Sequence, residues 1–252
     1  MESSEKNFKF TIEYLGTNYN GWQFQPDCYT VQGEIEKALK QILYKNHQVI
    51  NLTGSGRTDS GVHALGQVAN IKLTTNMSAT DLKNAINANT NDDIFIKESA
   101  EVDLNFNSRF SAKKRCYIYR ISKQASPFSN NREWFFNSHV NVSLLQDCSD
   151  LILGTNDFSL FSKNNPDIEN KVCTIYLSKW SEVENKLVYE IHGNRFLHHM
   201  VRYLVGTMME VAKGKLSIED FKNRLFNNIS QCQNTIFKAP AHGLYLKRVC
   251  YD

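Results

Sequence analysis

The sequence predicts an α+β protein built as two ferredoxin-like (split βαβ) halves whose antiparallel sheets pack side by side. Two observations predict it. A chain of 252 residues is long enough to bury two cores. Its apolar pattern switches between two-residue alternation and helical spacing in the order βαββαβ, and a looser second pass repeats that order. Hydrophobic residues make up 41% of the chain and aromatic residues 12%, a composition of folded rather than disordered proteins.

Residues 8–14 alternate apolar and polar side chains, as a half-buried strand does. Thr30 is placed to cap a helix that carries Val31, Ile35, Leu39 and Ile42 at helical spacing. Residues 49–52 and 62–73 read as strands on either side of a glycine-rich loop. Ser78 with Asp81 makes a capping-box start for a helix running to about Asn87, and residues 94–100 close the first pass as a strand. In the second pass, residues 116–122 alternate as a strand and 142–153 read as a helix. Residues 172–183 and 187–192 form a hairpin turning at Glu184-Asn185. Residues 196–213 read as a long helix, Ser217 with Asp220 caps a shorter one, and 244–251 form the final strand. The boundary falls within residues 105–114, giving domains 1–107 and 108–252. No low-complexity linker separates them, which points to a shared interface.

Residues 1–9 lack an apolar core, so no signal peptide is expected, and the most apolar helical stretch is interrupted by His198, His199, Arg202 and Glu210. Cys28, Cys116, Cys148, Cys173, Cys232 and Cys250 are scattered without a CxxC pair and read as reduced thiols of a cytoplasmic protein. A net charge of +3, from 29 basic and 26 acidic residues, says little about nucleic acid. Its distribution says more. Arg109, Lys113, Lys114, Arg115, Arg120 and Lys123 follow one another with no acid between them, which is either a solvated face or a phosphate-binding one.

The densest chemical signal is Gly54-Ser55-Gly56-Arg57-Thr58-Asp59-Ser60-Gly61-Val62-His63-Ala64-Leu65-Gly66-Gln67-Val68. The spacing fits neither a Walker loop nor a dinucleotide turn. Read from the residues alone, it is an aspartate in a tight loop beside Arg57, whose charge favours the ionised carboxylate. A purely structural Asx turn would read the same way.

The full string resembles the signature of the tRNA pseudouridine synthase A family. So do Tyr14-Leu15-Gly16-Thr17 with Gly21-Trp22-Gln23-Phe24-Gln25-Pro26 and Thr30-Val31-Gln32-Gly33, and Phe110-Ser111-Ala112 with Arg115-Cys116-Tyr117-Ile118-Tyr119. Later blocks match as well: Asn194-Arg195-Phe196-Leu197-His198-His199-Met200-Val201-Arg202 with Val205-Gly206-Thr207, then Ala239-Pro240-Ala241 and Gly243-Leu244-Tyr245-Leu246. The blocks run in family order along nearly the whole chain. The resemblance implies a homodimeric, cytoplasmic enzyme with its active-site cleft between the two halves. It implies conversion of uridine to pseudouridine in the anticodon stem-loop of tRNA, typically at positions 38 to 40, without metal, organic cofactor or membrane.

It also implies roles. Asp59 falls on the catalytic aspartate, Arg202 on the arginine that pairs with it, and Tyr117 on the tyrosine that stacks on the target base. Arg57 matches the arginine that holds the extruded nucleotide, and Leu246 an apolar residue bordering the pocket. Arg109, Lys113, Lys114 and Arg115 are the expected phosphate contacts. Read as one helix, 196–213 sets Arg195, His198, His199 and Arg202 on a basic face opposite Met200, Leu204 and Val211, suited to an anionic cleft. Adjacent histidines without a nearby Cys or acidic ligand in sequence make a poor metal site. Two departures stand out: Asn156-Asp157-Phe158 replaces a His-Asp-Phe, and Ser60 replaces the usual alanine after the aspartate. The competing readings are a pseudouridine synthase for other tRNA positions or another RNA, and a non-catalytic tRNA-binding or folding protein. The second would lack the need to keep Asp59 and Arg202.

Overall fold

The computed structural model describes residues 4–44, 49–226 and 237–252, and Cys232 lies outside them. Among the described residues the chain is mixed α/β, with ten strands and five α-helices. It divides into two compact units, residues 1–113 with 246–252, and residues 114–245.

In the first unit, β1 (Glu5–Tyr14) pairs antiparallel with β3 (His63–Thr74) on one side and β4 (Ile94–Val102) on the other. A two-residue β2 (Thr53–Gly54) adds to β3, as does the C-terminal β10 (Leu244–Cys250). Alternation along β1 buries Phe8, Phe10 and Ile12 completely. Helices α1 (Val31–Ile42) and α2 (Ala79–Asn89) bury Ile35, Leu39, Leu82 and Ile86, each contributing roughly 1.5–3 kcal/mol of transfer free energy. Both starts are the expected caps. The Thr30 side chain accepts from the Gly33 amide, and Ser78 and Asp81 form a reciprocal capping box.

Residues 49–52, expected as a strand, are not one. The backbone of Leu52 is taken by side chains of α1 instead: its amide donates to Glu36 Oε1 at 3.1 Å, and its carbonyl accepts from Gln32 Nε2 at 3.1 Å. Polar groups satisfied in this way have no need of a sheet ladder.

The second unit orders its sheet β5 (Lys114–Ser122), β9 (Lys186–Gly193), β8 (Val172–Val183) and β7 (Gly154–Asp157), with the short β6 (Trp134–Phe135) parallel to β5. The β8–β9 hairpin turns where expected, with Glu184 at φ 55 supplying the left-handed residue. Helices α3 (Val142–Leu151), α4 (Met200–Ala212) and α5 (Ile218–Leu225) bury Leu145, Leu204, Met208 and Phe221. Ser217 and Asp220 cap α5 as expected. A hydroxyl chain runs through this core, Ser149 to Ser178 at 2.6 Å and Ser178 to the Tyr189 hydroxyl at 2.8 Å. Burial there pushes the Cys148 thiol up to about 12. The strands β6 and β7 were not expected, because two and four residues are too short to show alternation and β7 is polar besides.

The long helix corrects its sequence reading. It begins at Met200, not residue 196, because His199 takes a left-handed φ of 65 and the His198 carbonyl is claimed by the Lys163 amide at 3.0 Å. Arg195, His198 and His199 therefore lie on the turn before the helix, and no single basic helical face carries them with Arg202. Among the described residues, no helix is long and apolar enough to cross a membrane.

Candidate functional site

The loop that carries Asp59 lies in the first unit and is fastened from several directions. The Tyr14 hydroxyl and Thr58 Oγ1 share a hydrogen bond of 2.8 Å, and the Trp22 amide donates to the Thr58 carbonyl at 3.2 Å. On the far side of Asp59, Ser60 Oγ and the Gly61 amide both donate to the Tyr19 carbonyl at 3.3 Å. The Val62 amide closes a turn onto the Asp59 carbonyl at 3.1 Å. Gln67, fully buried, holds the upstream arm: its Oε1 accepts from Ser55 Oγ at 2.6 Å, and its Nε2 donates to the Gly56 carbonyl at 2.9 Å. Asp59 itself is half-buried.

Two glycines make this clamp sterically possible. A Cβ on Gly16 would lie 2.0 Å from the Val62 carbonyl oxygen, and the Gly16 amide donates to His63 Nδ1 at 3.0 Å. Gly21 has φ +92, and a Cβ there would lie 2.5 Å from the Thr58 carbonyl oxygen. Arg57 is exposed, with its Nε donating to Gln23 Oε1 at 3.1 Å. Ser60, the residue that departs from the family pattern, thus has a local partner in the Tyr19 carbonyl. Arg109 and Lys113 are exposed on the segment that leads out of this unit, and Leu246 is buried in β10.

The second unit holds the other candidates. Tyr117 and Tyr119 share a face of β5, as alternation requires. Tyr117 is 9% exposed and meets Phe196 edge-on at 5.2 Å between ring centroids. Tyr119 is wholly buried, and its hydroxyl donates to the Pro240 carbonyl at 2.8 Å. Arg115 Nη1 donates to the Asn194 carbonyl at 2.9 Å, which joins the start of β5 to the turn before α4. Asn194 fixes that turn, since its Oδ1 accepts from the amides of Thr174 at 2.9 Å and Arg195 at 2.8 Å. His198 and His199 follow with ring centroids 4.0 Å apart. Lys114 is half-buried at the first position of β5.

Arg202 is 9% exposed, and its Nε donates to the Ala239 carbonyl at 2.9 Å, while the Ala239 amide returns a bond to the Arg202 carbonyl at 3.0 Å. Its charge is felt by two neighbours. Burial raises the Tyr119 hydroxyl well above the usual tyrosine range, and Arg202 opposes that rise. Burial and then Arg202 both hold the His242 imidazole below its ordinary value. In the folded chain His242 stays neutral where an unfolded one would take a proton. Its stability contribution is therefore whole above about pH 6.5 and shrinks as the pH falls below that value towards the lower folded one. Thermal unfolding followed from about pH 7.5 to 5.5 should show this loss, and His242→Gln should flatten it.

Asn156, the other departure, donates to the carbonyls of Ile152 and Leu153 at 3.3 Å and so finishes α3. The residues missed as site elements are Tyr14, His63, Gln67, Asn194 and Phe196. All lie inside the matched strings, but each reads as an ordinary strand or loop residue until its partner is seen.

A family model described as tRNA pseudouridine synthase matches residues 11–111 and 149–252. A protein named tRNA pseudouridine synthase A from Thermosipho melanesiensis is 40% identical over 249 residues, covering 98% of this chain and 100% of its own. A protein of the same name from Bacillus subtilis is 38% identical over 246 residues, covering 97% and 98%. A solved H/ACA ribonucleoprotein bound to a substrate RNA is 10% identical with a TM-score of 0.35, over 81% of this chain and 43% of that one, a likeness too weak to bear on the fold.

Proposed function

This chain belongs to the tRNA pseudouridine synthase family, and from that premise we propose that Asp59 is the carboxylate through which it acts. The enzyme is an isomerase that converts uridine to pseudouridine in tRNA. The reaction breaks the N1–C1′ bond, turns the uracil and joins C5 to C1′; one proton leaves C5 and one is taken up at N1. A carboxylate serves such a step only if its position is set before substrate arrives. The observation that carries the assignment is the clamp around Asp59, in which Thr58, Ser60 and Gly61 are each tied to Tyr14, Trp22 or Tyr19.

The other roles follow the resemblance. Arg202 is the cation of the catalytic set, supported by its burial and its fixed Nε bond. Tyr117 stacks on the target base, supported by a ring held edge-on by Phe196. Arg57 grips the extruded nucleotide, whose unstacking costs roughly a few kcal/mol. Arg109, Lys113, Lys114 and Arg115 meet phosphates, His198 and His199 add contacts from the turn before α4, and Leu246 borders the pocket. The proposal extends to uridines of the anticodon stem-loop, a homodimer, a cytoplasmic location, and the two domains 1–107 and 108–252 as ferredoxin-like halves. Support for the last comes from the first unit, where the βαββαβ order is accompanied by the strand order β4-β1-β3 with β2 on β3.

Tritium release from tRNA labelled at uracil C5 tests the reading; a wild type that binds tRNA without release overturns it. Arg202→Ala is expected to lower turnover by ~100-fold or more, the usual effect of removing one preorganised charged donor. An unchanged rate in the same assay would remove Arg202 from the catalytic set.

A further inference from the structure

We propose that Phe110 is a stacking platform for an unpaired base of the RNA, an assignment that rests on the tRNA reading above. Phe110 is 79% exposed at the tip of a turn, and Arg109 lies over its ring at 5.4 Å. A lone exposed aromatic needs no explanation. This one stands on a built support. Asn7 Nδ2 donates to the carbonyls of Asp103 and Phe106, both at 2.9 Å. Asn70 Nδ2 donates to Asn7 Oδ1 at 3.0 Å, and Asn70 Oδ1 accepts from the Ser108 amide at 2.8 Å. The Tyr251 hydroxyl donates to the Ser108 carbonyl at 2.9 Å, and the Phe106 and Tyr251 rings meet at 5.0 Å. Asn107 then shapes the tip, its Oδ1 accepting from the amides of Arg109 at 3.0 Å and Phe110 at 3.1 Å.

Asn7, Asn70 and Ser108 are all buried, and the two asparagine side chains with the Ser108 backbone hold in place the turn that presents Phe110 to solvent. A rigid ring loses little freedom on binding. Single-stranded bases stack on such rings without regard to sequence, and a guanidinium beside the ring suits the neighbouring phosphate. The exposed Arg109 and Lys113 supply that charge on the same segment. The chemistry favours an unpaired nucleotide over a protein partner, because Arg109 lies over the ring and Lys113 is exposed on the same segment.

The test measures binding of the full chain to tRNA at several salt concentrations, for wild type, Phe110→Ala, Phe110→Trp and Arg109→Ala. Phe110→Ala should weaken binding about 5- to 100-fold with the salt slope unchanged, and Phe110→Trp should restore most of it. Arg109→Ala should reduce the slope by about one. The inference is overturned if Phe110→Ala binds within about twofold of wild type, if Phe110→Trp is no better than Phe110→Ala, or if Phe110→Ala breaks up an assembly while RNA binding holds. Failure of the wild type to bind tRNA overturns this inference and the tRNA reading together, whereas turnover by a wild type whose binding ignores Phe110 overturns this one alone.

Discussion

Asp59→Asn is expected to leave tritium release from C5-labelled tRNA undetectable while the variant still binds tRNA within a fewfold of wild type. The replacement keeps size and hydrogen-bonding capacity, so the clamp from Tyr14, Trp22 and Tyr19 should survive it. What it removes is the negative charge and the nucleophilic or basic oxygen. Loss of a covalent or acid–base group of this kind commonly costs ~10⁴-fold or more in rate. Binding should persist, because phosphate contacts made by lysines and arginines supply most RNA affinity. Release by Asp59→Asn at more than about a hundredth of the wild-type rate would mean that another group does the chemistry.

Gly21→Ala is expected to be the next most damaging change, although it touches no reacting atom. Its φ of +92 strains any other residue by about 1–3 kcal/mol, and the new Cβ would begin 2.5 Å from the Thr58 carbonyl oxygen and 3.2 Å from the Asp59 carbonyl carbon. The backbone of Thr58 and Asp59 has to move to make room, and a shift of about 1 Å in a catalytic group costs on the order of 100-fold. Turnover should therefore fall about 100-fold or more, and the melting temperature should drop by several degrees, as roughly 1–3 kcal/mol of strain would require. A variant with wild-type kinetics would show that the loop tolerates displacement and that its fastening has no catalytic purpose.

The features legible in the sequence were those decided within a few residues. Thr30, Ser78 with Asp81, and Ser217 with Asp220 cap their helices where the pattern put them, since a cap is a contact between neighbours. The hairpin at Glu184 is local in the same sense. Residues 49–52 failed as a strand because Gln32 and Glu36, more than a turn of chain away, satisfy Leu52 first. The start of α4 was misread for a similar reason: helical spacing continues through residues 196–199, but a hydrogen bond from Lys163 holds His198 in a turn. Asp59 was conspicuous because glycines and an arginine crowd around it. Its supports were not, because Tyr14, His63 and Gln67 alternate like any strand residues and declare their function only through partners far along the chain.

The return of β10 to the first unit has a temporal side. Residues 246–252 pair with β3 in the first unit, whose other strands all come from the first 102 residues. During synthesis at ~5–20 residues per second, the first unit must wait on the order of 10 s, while the whole second unit is made, before its last strand exists. The unit begun first on the ribosome is thus the one finished last, and β3 spends that interval without its β10 partner.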